Sequence, residues 1–227
     1  MQPELIETIL VEASGNVPLL ARHLHRLEAS CKALGYVWGG RDVEGDILVA
    51  VMSLGSAGPH RLRLLVARDG SRHIQTAVLP PLPAHQEVML APEALRSSEP
   101  LLRYKTTHRP WYTKTIEWLP SHPHIFDLVY LNERGELCEG SRSNVYLRMG
   151  DTWYTPPVDS GCLPGVQRAH LLDAGKAKER VLTLADLHAA DEVRLSNALR
   201  GWFTVTFRDA RQPPGANAHC KSRAAEE

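Results

Sequence analysis

Hydrophobic and polar positions near the amino terminus change from a strand-like to a helix-like pattern. The apolar run Leu5–Val11 is typical of a β-strand, and Ser14-Gly15-Asn16 predicts a turn after it. Apolar side chains then recur at steps of three and four over residues 19–34, which predicts an amphipathic helix. We expect this helix to end at Gly35.

The pattern next predicts a second helix and a hairpin. Residues 43–54 are largely apolar and favour a short helix. Residues 61–66 and 74–79 flank Asp69-Gly70, a dipeptide typical of the tight turn in a β-hairpin.

A proline-rich stretch then separates two halves of the chain. Residues 88–90 are predicted to form a further strand, and residues 92–100 a loop. We therefore predict one α/β domain over residues 1–104 and a second over residues 105–208. The polar tail, residues 209–227, is expected to be disordered because it is rich in Pro, Gly and Ala.

Strands, turns and helices also alternate in the predicted second half of the chain. Residues 126–131 form an apolar run, and residues 144–147 and 152–155 flank a turn at Gly150-Asp151. The remaining predicted elements are a helix over 109–119 with Tyr112, Ile116 and Leu119 on one face, a helix from Arg168 to Ala177, a helix start at Thr183, and strands at 192–195 and 202–207.

Composition narrows the class of protein. The 227 residues include 26 basic and 26 acidic side chains, a balance that gives no reason to expect nucleic-acid or anionic-membrane binding. No apolar run approaches the roughly 18 residues of a membrane span, and the acidic start lacks the basic segment of a signal peptide. The four scattered cysteines have no CxxC spacing and predict free thiols in the cytoplasm.

The segment from Leu137 to Arg168 carries the strongest chemical signal. Glu139 lies in a tight segment rich in Gly and Ser, and a glycine-bearing turn ending at Gly165 precedes a helical pattern. A turn that opens a helix presents free backbone N–H groups and the positive end of the helix dipole, which suit a phosphate. The segment therefore combines a candidate buried carboxylate with a candidate phosphate seat.

The same segment resembles a known signature. Glu139, Asn144, Tyr146, the step Thr155-Pro156 and the run LPGVQR are similar to the signature of class IV aminotransferases. These fold-type IV pyridoxal-phosphate (PLP) enzymes include branched-chain aminotransferases, D-amino-acid aminotransferases and aminodeoxychorismate lyases. The resemblance implies an α/β (α+β) fold of two α/β domains with PLP in the cleft between them, and a homodimer.

Two upstream motifs extend the resemblance to residues 5–207. The run Lys105-Thr106-Thr107-His108-Arg109 resembles the K-T-T-x-R run that carries the Schiff-base lysine in the lyase branch. The run HLHRL resembles the family's H-x-x-R-L helix, whose arginine, here Arg26, reaches the cofactor phosphate. An arginine suits that task because its planar guanidinium can bind two phosphate oxygens.

By resemblance, two residues are expected to be catalytic: Lys105 as the attachment site and proton carrier, and Glu139 as the partner of the cofactor ring nitrogen. The expected cofactor-binding residues are Arg26, Lys105, Glu139, Asn144, Leu163, Gly165, Val166, Gln167, Ser196, Asn197 and Ala198. The candidates for binding the carboxylate of a small-molecule amine substrate are Arg109, Tyr112 and Arg168. No metal site is expected, because His122-Pro123-His124 has no carboxylate or cysteine at ligand spacing.

The function expected from the resemblance is a PLP-dependent 4-amino-4-deoxychorismate lyase, which releases pyruvate and 4-aminobenzoate for folate synthesis. A branched-chain or D-amino-acid aminotransferase of the same fold is the first alternative. Two departures from the family pattern, Ala198 in the second phosphate loop and Pro110 after the lysine, leave open a non-catalytic homologue that binds PLP or another metabolite.

Overall fold

The first sheet is formed by the amino-terminal part of the chain. The computed structural model describes residues 2–55 and 58–209. Three antiparallel strands, β1 (Leu5–Val11), β2 (His60–Val66) and β3 (Arg72–Val78), lie in the order β1-β2-β3. The predicted first strand and hairpin are therefore confirmed.

Two helices cover this small sheet. Helix α1 (Leu20–Leu34) ends at Gly35, whose φ of 71° is the left-handed conformation that glycine adopts readily. Helix α2 (Arg41–Met52) follows it. The core of this layer pair consists of Leu5, Ile9, Val11, Leu27, Cys31, Val43, Ile47, Leu62, Leu64 and Val66.

The second sheet has eight strands in the order β10-β11-β4-β5-β6-β7-β8-β9. The strands are β4 (Glu87–Leu90), β5 (Ile125–Leu131), β6 (Leu137–Gly140), β7 (Asn144–Met149), β8 (Thr152–Thr155), β9 (Lys178–Glu179), β10 (Glu192–Asn197) and β11 (Gly201–Arg208). Strand β10 also pairs with β7, so the sheet closes on itself like a barrel. Strand β6, the first four residues of β7 and nearly all of β5 are buried on both faces, so the polar residues among them, Asp127, Glu139 and Asn144, are buried too.

Three short helices accompany the large sheet: α3 (Thr113–Trp118), α4 (Val166–Asp173) and α5 (Leu184–Ala189). Helix α5 begins with a capping box, in which the Thr183 hydroxyl and the Asp186 carboxylate each accept a hydrogen bond from the other's backbone N–H. The helix start predicted at Thr183 is therefore confirmed.

The helix predicted over residues 109–119 is interrupted. A 3₁₀ turn at Pro110–Tyr112 precedes α3, and a second one at Leu119–Ser121 follows it. Because the 3₁₀ turn changes the angular step per residue, Tyr112 and Leu119 are buried but Ile116 is 45% exposed. The prediction of one continuous helix with all three side chains on one face was therefore wrong: Ile116 does not share the buried side of Tyr112 and Leu119.

The helix expected to reach Ala177 ends earlier. Helix α4 stops at Asp173, and Gly175 follows with a φ of 64°. The Gly175 and Lys176 N–H groups donate to the carbonyls of Leu172 and Leu171, which closes the helix end.

The two sheets meet where β1 contacts the segment after β4. The Ile6 N–H donates to the Lys105 carbonyl at 2.8 Å, and the Thr107 N–H donates to the Glu4 carbonyl at 2.9 Å. Strand β4 precedes the boundary expected at residue 104, yet it pairs within the large sheet. The division into domains at that residue stays a prediction.

Two further expectations concern the carboxy-terminal tail and membrane-spanning helices. Most of the tail predicted to be disordered, residues 210–227, lies outside them. Within residues 2–55 and 58–209, no helix is long and apolar enough to cross a membrane.

Candidate active site

A cavity of about 310 Å³ lies where the two sheets meet. Almost all of the residues predicted for the site line it: Arg26, Lys105, Arg109, Tyr112, Glu139, Asn144, Leu163, Gly165, Val166, Gln167, Ser196, Asn197 and Ala198. These residues come from helix α1 and from the second half of the chain, and they are as far as 172 positions apart, since Arg26 and Ala198 are both among them.

Lys105 reaches the cavity from the segment that joins the sheets. Its backbone carbonyl accepts from Ile6, so β1 fixes its position. Burial, followed by the positive charges of Arg109 and Arg26, lowers the pKa of the Lys105 amine from 10.5 to about 7. Near neutral pH, a large fraction of this amine is therefore uncharged.

Glu139 lies in β6 and is only 5% exposed. The Tyr112 hydroxyl donates to its Oε1 at 2.9 Å, and the Asn144 amide donates to its Oε2 at 3.3 Å. Burial raises the pKa of the Glu139 carboxyl to about 7, although the hydrogen bond from Tyr112 and the charge of Lys105 oppose that rise. A cationic group beside this carboxyl would favour its ionised form.

The start of α4 forms another wall. Gly165 is the N-cap, and the first N–H groups of a helix, here those of Val166 and Gln167, have no partner inside the helix. A Cβ added to Gly165 would lie 2.1 Å from the Asn144 Oδ1, so only glycine allows this close approach. Asn144 in turn donates to the Leu163 carbonyl at 3.0 Å.

The end of β10 and the turn after it face the same cavity. The hydroxyl of Ser196, in β10, hydrogen-bonds the Tyr146 hydroxyl at 2.8 Å. The Asn197 Oδ1 accepts from the N–H groups of Leu199 and Arg200, which fixes a tight turn. Ala198 lies in this turn and, because it has no polar side chain, could bind a ligand only through its backbone.

Arg26 enters the cavity from α1. Its Nε donates to the Glu7 Oε1 at 2.9 Å, and its Nη2 donates to the Glu7 Oε2 at 2.5 Å. Its Nη1 lies 3.5 Å from the Pro164 carbonyl, next to the start of α4. Arg26 therefore lies beside the helix start predicted to hold a phosphate.

Two of the three candidate substrate ligands lie at the cavity and the third does not. Arg109 donates to the Ser141 carbonyl at 3.2 Å, and the Tyr112 hydroxyl is engaged with Glu139. Arg168 is 3% exposed, and its Nη2 donates to the Pro156 carbonyl and to Glu179. The expectation for Arg168 is corrected: its position on α4 directs it toward β8 and β9, away from the cavity.

Two cavity arginines were missing from the sequence-based prediction. Arg61 and Arg63 lie on β2, and because successive side chains of a strand alternate between its faces, residues two apart share a face. Burial and the charges of Arg109 and Arg61 lower the pKa of Arg63. The signal in the sequence is the alternation Arg61-Leu62-Arg63, which places two cations on one face of a strand.

Asp127 organises the loop between β6 and β7. This fully buried carboxylate accepts from the backbone N–H groups of Ser141 and Arg142 and from the hydroxyls of Ser141 and Ser143. The loop begins two residues after Glu139 and lines the cavity. Asp127 therefore fixes the cavity wall beside Glu139.

The comparison with protein families decides the class. Residues 4–206 match the family model described as amino-transferase class IV. The chain belongs to this family. The match covers almost all of the described chain, so the expected class IV enzyme is confirmed.

Relatives and solved structures agree with this assignment. A provisionally named aminodeoxychorismate lyase of Schizosaccharomyces pombe is 28% identical over 206 residues, which cover 88% of this chain and 87% of that protein. The structure of a provisionally named amino-acid aminotransferase from Mesorhizobium loti is 34% identical, with a TM-score of 0.84, covering 91% of this chain and 100% of the other.

A third structure bears on the cofactor. A hypothetical aminotransferase from Mycobacterium tuberculosis, in a PLP-bound form, is 22% identical with a TM-score of 0.72, covering 92% of this chain and 83% of the other. At this identity the likeness establishes the fold alone. The predicted fold, that of the fold-type IV PLP enzymes, is confirmed, and membership in the class IV family implies PLP as the cofactor.

The residues at the cavity fit such a cofactor. A partly neutral amine, a buried carboxyl and an arginine beside a helix start are the donor set that an aldehyde with a cationic ring and a phosphate requires. The close approach of Gly165 to Asn144 also leaves the first backbone N–H groups of α4 uncovered by a side chain at that position.

Proposed function

We propose that this protein is a PLP-dependent 4-amino-4-deoxychorismate lyase, which splits its substrate into pyruvate and 4-aminobenzoate, a folate precursor. The observation that carries the proposal is the alignment with the provisionally named S. pombe lyase, which spans nearly the full length of both chains. The Lys105-Thr106-Thr107 run, which resembles that of the lyase branch, supports the same choice.

In this proposal the cofactor is held by Arg26 of helix α1 and by residues of the second half of the chain. Lys105 attaches it, Glu139 pairs with the ring nitrogen, and Asn144 holds Glu139 in place. The phosphate is bound by Arg26, by the start of α4, where Leu163 and Gly165 shape the turn before Val166 and Gln167, and by the turn of Ser196, Asn197 and Ala198. When bound, PLP supplies an electron sink that acidifies the C–H bond beside the substrate amine.

Lys105 carries the proton in the proposed reaction. Its uncharged amine removes the proton from the ring carbon that bears the substrate amine. The C–O bond to the enolpyruvyl group on the neighbouring carbon then breaks, and the ring becomes aromatic. The departing enolate takes up a proton to give pyruvate, so neither water nor an oxidant is consumed.

Three arginines of the cavity fit the charge of the substrate. Arg61, Arg63 and Arg109 line one part of the cavity, and the pKa of Arg63 is lowered by burial and by the other two cations. Mutual repulsion of this kind is relieved when an anion binds. 4-Amino-4-deoxychorismate carries two carboxylates that could bind there.

The direct test measures pyruvate. Purified protein reconstituted with PLP and given 4-amino-4-deoxychorismate is expected to release pyruvate and 4-aminobenzoate in equal amounts. The variant Lys105→Ala should lose this activity, whereas Lys114→Ala, at a lysine that is 81% exposed and paired with Glu93, should retain it. If the intact, PLP-loaded protein releases no pyruvate, the proposal is wrong.

A second candidate is an amino-acid aminotransferase of the same fold, and the M. loti structure at 34% identity over its whole length favours it. A panel of L- and D-amino acids, each tested for spectral conversion of the bound cofactor, separates this candidate from a lyase. A non-catalytic homologue, suggested by Ala198 and Pro110, would bind PLP and respond to no amine in either assay.

We further propose a cytoplasmic homodimer. The proposal rests on the family resemblance for the dimer, and for the compartment on Cys31, Cys138 and Cys162, which are free and buried. Sedimentation should give a mass of twice the 25.3 kDa of one chain. A monomer at micromolar concentration would contradict the dimer.

A further inference from the structure

A buried carboxylate on β1 links the small sheet to the cavity. Glu7 is 2% exposed, and its two oxygens accept from the Arg26 Nε and Nη2 and contact the His23 Nδ1 at 2.6 Å. A carboxylate buried to this degree is rare in proteins unless it is paired. Here it is paired with two side chains of the helix that carries Arg26.

The partners of Glu7 determine the protonation state of its carboxyl group. Burial alone would raise the pKa of Glu7, but the charges and hydrogen bonds of Arg26 and His23 outweigh it and lower that pKa to about 2. Glu7 is therefore ionised and only accepts hydrogen bonds, so the His23 Nδ1 is the donor. Both Glu7 oxygens are thus engaged.

The two bonds from Glu7 fix the plane of the Arg26 guanidinium. A guanidinium has five N–H donors in a rigid fork, and a bidentate carboxylate occupies two of them. The remaining donors include those of Nη1, which lies 3.5 Å from the Pro164 carbonyl at the start of α4. Glu7 therefore turns the remaining edge of Arg26, from which Nη1 donates to the Pro164 carbonyl, toward the start of α4 and the cavity.

We propose that Glu7 is a positioning residue that aims Arg26 at the phosphate of PLP and thereby sets how much the phosphate adds to cofactor affinity. The proposal rests on PLP as the cofactor, and it does not depend on which reaction follows. Neighbouring residues of β1 serve both ends of the cofactor, because Ile6 binds the Lys105 carbonyl and Glu7 binds Arg26.

The test compares two aldehydes that differ only in the phosphate. Dissociation constants of PLP and of pyridoxal are measured by absorbance for the wild type, Glu7→Gln, Arg26→Gln and the double variant. In Glu7→Gln we expect the affinity ratio of PLP to pyridoxal to fall about 10- to 100-fold, because one charge-assisted hydrogen bond to the phosphate is lost or misdirected. The double variant should fall no further than Arg26→Gln alone.

The ratio removes other effects of the substitution. Glu7 also raises the pKa of Lys105, but that amine reacts with both aldehydes, so the change cancels. Asp46→Asn is the matched control, because Asp46 pairs with Arg72 at 2.5 Å and neither residue lines the cavity. Its ratio should equal that of the wild type.

Two outcomes would overturn the proposal. One is an unchanged ratio in Glu7→Gln, whether both affinities fall equally or neither falls, and the other is additive effects of the Glu7 and Arg26 substitutions on the ratio. Should Glu7→Gln fail to fold, Glu7→Asp preserves the charge and withdraws the carboxylate by one methylene. The same fall in the ratio, of smaller size, is then expected. Failure of pyruvate release would leave this test unaffected.

Discussion

Lys105 and Glu139 share one cavity, and burial acts on them in opposite directions. Desolvation disfavours the charged form of each side chain, so it lowers the pKa of the amine to about 7 and raises that of the carboxyl to about 7. Both groups are therefore divided between two protonation states near neutral pH. A proton can be taken up or released there at little cost in free energy.

The lowered pKa of Lys105 predicts how attachment of PLP depends on pH. The uncharged amine is the nucleophile, so the rate should rise as pH passes about 7 and level off above it, well below the 10.5 of an ordinary lysine. In Glu139→Gln the midpoint should move to lower pH, because a charge that raises the pKa of Lys105 is removed.

Stopped-flow absorbance at a series of pH values checks this prediction. A simple alkylamine measured in parallel corrects for the titration of PLP itself. A rate that keeps rising to pH 10 would show that Lys105 remains an ordinary lysine.

The sequence predicted the site residues that belong to motifs and missed the site residues that do not. Lys105, Glu139 and Arg26 stand in short runs of fixed types, so the motif identifies them. Glu7 and Arg63 lie in strands whose partners are known only once the strands are paired. Arg168 belongs to the motif, but the turn of α4 directs it away from the cavity.

The residue that caps the start of α4, Gly165, has no room for a side chain. Gly165 has ordinary backbone angles, with φ of −63° and ψ of 142°, so its glycine is required by space and not by strain. The space is taken by Asn144, which also holds Glu139 and the Leu163 carbonyl.

Gly165→Ala should therefore disturb the site. Asn144 must move to admit the methyl group, which we expect to destabilise the fold by about 1–3 kcal/mol and to weaken PLP binding. Gly45→Ala is the control, since Gly45 lies inside α2 with open space around it. This substitution should stabilise the fold by about 0.5–1 kcal/mol. Thermal unfolding of the two variants measures the difference, and equal shifts would contradict the account.

Elements with a long, regular hydrophobic pattern were predictable from the sequence. The exact ends of the short helices α3 and α4 were not. Strand β1, helix α1 and the β2–β3 hairpin follow from alternation and from steps of three and four. The break around α3 and the early end of α4 depend on single positions, Pro110 and Gly175, whose effect on a weak pattern is decided by packing.

In the whole molecule, the candidate active site lies at the junction of the two sheets. Strand β1 supplies the contacts to Lys105 and to Arg26, and the large sheet supplies Glu139 and the start of α4. Helices α1 and α4 are also joined by the ion pair of Arg22 and Asp173 at 2.7 Å. The contact of Ile6 with Lys105 joins residues 99 positions apart, and the pair of Arg22 and Asp173 joins residues 151 positions apart, so no local pattern could have revealed them.

Attachment of the cofactor at Lys105 is the claim on which the whole account depends. The measurement that tests it most directly is borohydride reduction of the PLP-loaded protein, followed by peptide mapping. We expect one pyridoxyl group, on the peptide that contains Lys105, and none in Lys105→Ala. The exposed Lys114 should stay unmodified. A label on another lysine, or a full label in Lys105→Ala, would contradict the account.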